Sequence, residues 1–184
     1  MPGQRTLYGE LPNSLFEQFQ QIKLLVCDVD GVFSDGRIYL GNDGEELKAF
    51  HTRDGYGVKA LIQSGVEVAV ITGRRSELVH NRMTALGVKH IIQGEEHKGV
   101  ALQHLQDKLG INVVQTAAIG DDCPDLGMFD NALLGIAVKD AHPRVINHAA
   151  YVTQNNGGYG AVREVCDIIL ESKNLLKTIE SASV

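Results

Sequence analysis

In the stretch KLLVCDVDGVFSDG (residues 23–36) an apolar run ends in two acids, Asp28 and Asp30, separated by one residue. Carboxylates this close repel each other and resist burial, so something must offset the repulsion. Three further groups that could share such chemistry follow, each where another apolar run ends. They are Thr72 in VEVAVITGR, Lys98 after HIIQGEEH, and Asp121–Asp122 after TAAIG. Hard oxygen ligands from Asp28 and Asp121, with a backbone carbonyl nearby, suit Mg²⁺, which takes few protein ligands and keeps several waters. The ion would cancel the repulsion and hold Asp28 ionised. An ionised Asp with one free oxygen can attack phosphorus and form an aspartyl-phosphate. The rest of phosphoryl transfer is positioning and charge neutralisation. For that, Thr72 offers a hydrogen-bond donor and Lys98 a point charge. Asp30 can protonate the leaving oxygen and then deprotonate the water that hydrolyses the intermediate.

These groups need elements that bring them to one place. Residues 13–22 read as a short helix with Asn13–Ser14 as a possible cap. IKLLVCDV is a continuous apolar strand of the kind buried on both faces of a parallel sheet. Residues 36–50 read as a β-hairpin, two short runs flanking the turn Asn42-Asp43-Gly44. Beyond them helix and strand alternate: YGVKALIQSG, VEVAVITG, SELVHNRMTALG, HIIQG, KGVALQHLQDKLG, TAAIGDD, PDLGMFDN, ALLGIAV, HPRVINHA and YVT. A long helix over residues 160–182 closes the chain. Such alternation predicts an α/β, Rossmann-like three-layer sandwich with a mostly parallel sheet, and ligands at the carboxyl ends of its strands. All the candidate groups fall there. The Asp28–Thr72 gap holds one hairpin and one helix, and the Lys98–Asp121 gap one helix. Neither leaves room for a cap domain, so residues 1–184 read as one hydrolase-like domain with the hairpin as a flap. An open site of this size must exclude water by other means, and oligomerisation is the economical one.

D-x-D-G-V after an apolar strand, ITGR, a lysine opening a helix, and GDD-x-x-D resemble, in that order, the four motifs of the haloacid dehalogenase superfamily. The resemblance implies Asp28 as nucleophile, Asp30 as acid/base, Thr72 and Lys98 as phosphoryl ligands, and Asp121 completing a Mg²⁺ site with Asp28 and Asp30. It also implies that Asp122 and Asp125 orient Lys98 or metal-bound water. A narrower likeness runs through residues 14–172. DVDGVFSDGRIYLGNDGEELKAFHTRDGYGVKAL, AHPRVINHAAYVT and GGYGAVREVCDIIL are similar to the 3-deoxy-D-manno-octulosonate 8-phosphate phosphatases. This implies a minimal-cap phosphomonoesterase of lipopolysaccharide precursor synthesis, a homotetramer whose hairpins pack together and whose neighbouring subunit helps close each site. Related sugar-acid phosphatases act on 9-phosphates of nonulosonic acids.

Other features bear on substrate and setting. Arg53, Arg74 and Arg75 are candidates for a bidentate contact with a sugar carboxylate, the alternative being surface arginine. Gly31 is placed with them as substrate-binding. Arg163 reads as a cation for an active site or, with slightly more weight, as a salt-bridge partner. The apolar Ile38, Tyr39, Leu40 and Phe50 favour a subunit contact over a solvated tip. The net charge of −6 argues against nucleic-acid and anionic-membrane partners. No apolar run approaches the ~20 residues of a membrane span. Three cysteines without a C-x-x-C pair, and no signal-peptide pattern, point to a reducing, cytoplasmic setting. His97 with His104, and His142 with His148, lack zinc spacing. A phospho-accepting receiver domain also combines acids, Thr and Lys on a doubly wound sheet, but the acids after Lys98 count against it. A degenerate, non-catalytic module would lack a catalytic group, and none is missing.

Overall fold

The computed structural model describes residues 3–176. Six strands form one parallel sheet: β3 (Leu24–Cys27), β6 (Glu67–Thr72), β7 (His90–Gln93), β8 (Thr116–Gly120), β9 (Leu134–Ala137) and β10 (Tyr151–Val152). Two antiparallel hairpins stand outside it, β1 (Gln4–Thr6) with β2 (Gly9–Leu11), and β4 (Tyr39–Leu40) with β5 (Glu46–Leu47). The sheet order is β10-β9-β8-β3-β6-β7. From β3 the chain builds outward through β6 and β7, then crosses back to β8 and builds the other way. That reversal puts a topological switch point at the carboxyl end of β3, where a crevice opens between diverging connections.

The inner strands are apolar runs because both their faces are covered. Every residue of β3, β8 and β9 is buried. Helices α1 (Asn13–Gln21), α2 (Thr52–Gln63) and α7 (Ala161–Ser172) pack together as one layer. The remaining helices are α3 (Glu77–Ala85), α4 (Lys98–Leu109), α5 (Leu126–Phe129) and α6 (Pro143–His148), with α4 packed on α5. Burial pushes the thiols of Cys27 and Cys166 up, as befits core side chains. No helix among the described residues is long and apolar enough to cross a membrane.

The expected elements are present, with instructive differences at their ends. Helix α1 starts at Asn13 with Pro12 at its cap position and no side-chain cap bond, so Asn13–Ser14 is not the cap. Helix α2 starts four residues ahead of Tyr56, because His51 Nδ1 accepts the Arg53 N–H at 3.1 Å and caps it. The RDGYG segment is therefore its first turns. Helix α7 stops at Ser172, short of the expected 182: Asn174 takes a left-handed conformation (φ 57°), a common way to end a helix. Residues 177–182 of that expected helix lie outside the described residues. The β4–β5 hairpin pairs only Tyr39 with Leu47 and Leu40 with Glu46. The β1–β2 hairpin had no periodic signal in the sequence. It is held from outside, by Tyr8 Oη donating to Asp167 Oδ2 at 2.8 Å and the Leu7 N–H to Glu171 at 3.2 Å.

Two buried acids organise the segment that leans on the β3 loop. Asp54 of α2 accepts the Arg163 N–H at 2.9 Å and so caps α7. Glu164, fully buried, accepts from Tyr151 Oη (2.6 Å), the Gln154 N–H (2.8 Å), the Asn155 N–H (3.1 Å) and Asn155 Nδ2 (2.6 Å). The loop they hold presses onto the D-x-D-G turn. The Gly158 N–H donates to Val32 O at 2.9 Å, and a Cβ on Gly157 would fall 1.7 Å from Gly31 O. Glu164→Ala would strand several buried donors, so a loss of about 3 kcal/mol of stability is expected, read as a lower urea midpoint. An unchanged midpoint would contradict this role.

Candidate active site

The crevice at the switch point holds a cavity of about 300 Å³ lined by Asp28, Asp30, Thr72, Arg74, Lys98, Asp121, Asp122 and Asp125, among others. Asp28 directly follows β3, and its N–H donates to Ile119 O of β8 at 3.0 Å. The sheet register thus sets the nucleophile candidate. Thr72 ends β6, Lys98 opens α4 and Asp121 follows β8. A larger concavity, about 630 Å³, is lined by Arg75, His80, Gln93 and their neighbours but by none of these acids. Size without the chemistry does not make it the site.

Lys98 Nζ lies 2.7 Å from Asp28 Oδ1 and 2.6 Å from Asp125 Oδ1. The second Asp125 oxygen accepts the N–H groups of Asp121 (2.9 Å) and Asp122 (3.3 Å). Asp125 therefore orients both Lys98 and the turn that presents Asp121. Asp122 has a different part: its carboxylate accepts the Cys123 N–H at 2.7 Å and caps the short turn that follows. Carboxylate oxygens of Asp28, Asp121 and Asp125 cluster within 4.8 Å of one another. The Asp30 carboxylate is not among them. Gly31 serves this cluster by having no side chain. Its φ is 92°, and a Cβ there would sit 2.1 Å from Asp121 Oδ2.

The donor set fits a hard divalent ion. It is all oxygen, and Asp125 is already committed to Lys98 and two amides, which leaves Asp28 and Asp121 facing an open cavity. A second group, Asp122, Cys123 and His142, also comes within 4.8 Å. Two of its members are spent on the backbone, since His142 Nδ1 accepts the Arg144 N–H at 3.2 Å and Asp122 accepts from Cys123.

A haloacid dehalogenase-like hydrolase family model matches residues 90–165. The 3-deoxy-D-manno-octulosonate 8-phosphate phosphatase of Yersinia pestis is 48% identical over 97% of this chain and 96% of its own length. The enzyme of that name from Moraxella catarrhalis, solved with magnesium, phosphate and the sugar acid, superposes with a TM-score of 0.86 at 46% identity, over 88% of this chain and 93% of that one. A cobalt-bound deoxy-D-mannose-octulosonate 8-phosphate phosphatase from Haemophilus influenzae has a TM-score of 0.83 at 39% identity, over 85% and 92% of the two chains. The chain belongs to the 3-deoxy-D-manno-octulosonate 8-phosphate phosphatase family of haloacid dehalogenase-like hydrolases.

The arginines of this hydrolase divide. Arg74 lines the cavity and donates to Glu46 Oε2 at 2.6 Å. Arg75 lines the other concavity, and Arg53 is exposed at the start of α2; neither is among the residues lining the acid cavity. Arg163 is a salt-bridge residue: Nε contacts Asp167 at 2.9 Å, and its guanidinium stacks on Tyr56 at 4.4 Å. The sequence reading missed Lys48. Its Nζ reaches Asp30 Oδ1 at 2.5 Å and Glu46 Oε1 at 3.0 Å. Alternation of Glu46 and Lys48 with Leu47 marked one face of the hairpin, but nothing local said that this face meets Asp30.

The electrostatics explain what the cluster needs. Burial first, then Asp125, pushes the Asp28 carboxyl up to about 6 against the pull of Lys98. Burial, followed by Asp28, Asp125 and Asp122, pushes Asp121 up to about 8. Lys98 is raised although burial opposes its charge, because Asp28 and Asp125 outweigh that cost. In the metal-free protein the folded state thus holds protons that the unfolded chain has lost. Their stabilisation is complete below the ordinary carboxylate range and disappears as pH rises through about 6 and then about 8. Magnesium competes with those same protons. Its stabilisation should therefore be larger at about pH 8.5 than at about pH 5.5, read as the Mg²⁺-induced rise in melting temperature. A rise independent of pH would exclude these carboxylates as the ligands.

Proposed function

We propose that this hydrolase cleaves the phosphate monoester of 3-deoxy-D-manno-octulosonate 8-phosphate, in lipopolysaccharide precursor synthesis in the cytoplasm, through an aspartyl-phosphate on Asp28. The observation that carries the reading is the placement of Asp28, Lys98 and Asp121 around one cavity at the switch point, in a chain so similar to phosphatases of that substrate.

The free oxygen of Asp28 attacks phosphorus as the bond to the sugar oxygen breaks. Lys98, fixed between Asp28 and Asp125, faces the developing charge with its remaining proton. Thr72, buried at the end of β6, donates its hydroxyl to an equatorial oxygen. Asp30 gives its proton to the leaving sugar oxygen. It then takes one from the water that splits the aspartyl-phosphate, returning Asp28 as a carboxylate and releasing phosphate. Held by Asp28 and Asp121, Mg²⁺ would supply Lewis-acid neutralisation of the phosphoryl oxygens. Arg74 stands where a sugar carboxylate could exchange with Glu46 for its guanidinium.

The same reading makes the chain a homotetramer joined through its hairpins. Ile38, Tyr39, Leu40 and Leu47 are exposed together on this small element, more apolar surface than an isolated flap should present to water. Paired Leu40→Asp and Leu47→Asp substitutions are expected to shift the assembly to smaller species in light scattering; an unshifted tetramer would place the interface elsewhere.

The decisive assay is phosphate release across a panel of sugar phosphates that includes 8-phosphates and 9-phosphates of sugar acids, with and without EDTA. Hydrolysis of the 8-phosphate ester that EDTA abolishes and Mg²⁺ restores is expected. Asp28→Asn should lower kcat by at least about 10³-fold while leaving the fold intact. Near-normal turnover by that variant would remove Asp28 as the nucleophile.

A further inference from the structure

Lys48 is a cation beside Asp30 that belongs to no catalytic motif, and it arrives from the hairpin. Its side chain is 1% exposed, against 24% for its partner Asp30. Glu46 ties the same ammonium to Arg74, so a continuous chain of charges runs Arg74–Glu46–Lys48–Asp30 from the end of β6 to the residue after the nucleophile loop begins. Stability does not account for the arrangement. Burying an ammonium costs several kcal/mol, which its ion pairs with Asp30 and Glu46 at best offset, and an apolar side chain would cover the same surface without that penalty. A lysine kept there has a use for its charge.

Lys48 engages one oxygen of Asp30, Oδ1, and leaves the other for the cavity that Asp30 lines. We propose that Lys48 is a positioning residue for proton transfer. It fixes the Asp30 carboxyl so that its second oxygen meets the leaving sugar oxygen. Asp30 passes its proton to that oxygen as the phosphorus–oxygen bond breaks, and Lys48 keeps the carboxyl in the same place while it does so. When water attacks the aspartyl-phosphate, the same contact holds Asp30 in place to receive the proton back. Leu47, between Glu46 and Lys48, points its exposed side chain the opposite way, so the hairpin presents charge to the active site and apolar surface outward.

The inference rests on the aspartyl-phosphate reading and goes one step beyond it. The test compares an alkyl leaving group, 3-deoxy-D-manno-octulosonate 8-phosphate, with an aryl one, p-nitrophenyl phosphate, whose phenolate departs with little help from an acid. Lys48→Met is expected to lower kcat on the sugar ester by about 10-fold or more beyond its loss on the aryl ester, and Lys48→Arg to restore part of that difference. Equal losses on the two esters would make Lys48 a structural brace. A change confined to KM would make it a substrate ligand. Either result overturns the proposal. Should Lys48→Met lack the wild-type circular dichroism spectrum, Glu46→Gln, which loosens Lys48 without removing it, is read by the same ratio. Wild-type enzyme inactive on both esters would strike the phosphatase reading itself, whereas an unchanged ratio in the variants would remove only the role of Lys48.

Discussion

Lys98 puts a single ammonium between two carboxylates, 2.7 Å from Asp28 and 2.6 Å from Asp125, at a sheet edge where Asp121 adds a third. One positive charge cannot balance three clustered negative ones, two buried and one half-buried, at these distances. Protons make up the difference in the metal-free protein, which is why the carboxyls of Asp28 and Asp121 are held well above the ordinary range. A divalent cation would make up the same difference without blocking the oxygen that must attack. The deficit is two charges, and that arithmetic favours Mg²⁺ over any monovalent ion as firmly as the hard oxygen ligands do. Lys98 lowers the repulsion enough for the acids to be buried together; it does not remove the requirement for the metal.

Everything near the cluster serves to keep it from relaxing. Asp28 is pinned by a main-chain bond into the register of β3 and β8, and Asp125 clamps the turn after β8 through two amides. The loop after β10 closes the far side. Asp54 caps the helix that follows that loop, Glu164 gathers its amides, and the glycines come against Gly31 and Val32. The segments RDGYG and GGYGAVRE thus act on the loop after β3 by packing behind it. The Asp54 carboxyl is pushed up to about 6 by burial, with the Arg163 and Gly160 amides pulling it back. Such a residue is retained for its hydrogen bonds to the α7 terminus more than for its charge.

How much of this was legible in the sequence depended on how far each contact reaches along the chain. Asp28, Thr72 and Asp121 could be placed because each ends an apolar run, and parallel strands deliver their carboxyl ends to one edge whatever lies between. Lys98 could be placed because it opens the helix that must follow. The small hairpin at residues 4–11 carried no periodic pattern, and its support comes from Asp167 and Glu171, more than 150 residues away. The arginines were legible as a class and not one by one: Arg74 and Arg75 are neighbours in sequence, yet the turn after β6 sends them to different cavities. Asp122 and Asp125 looked equivalent as a GDD-x-x-D pattern. Only the fold separates a residue that holds the lysine from one that caps a turn.

Lys48 belongs with the contacts that sequence cannot supply, and it shows what a hairpin can do in place of a cap domain. Two-residue strands are too short to hold an orientation in water by their own ladder. The orientation of this hairpin must come from its ends: inward from the Arg74–Glu46–Lys48–Asp30 chain, outward from whatever covers Leu40 and Leu47. The two supports act on opposite faces of one small element, so they are energetically coupled. On the proposed reading, covering the outer face would hold Lys48 over Asp30, and drawing Arg74 toward a substrate carboxylate would release Glu46 and loosen the inner face. A rigid cap would exclude water but could not exchange partners in this way.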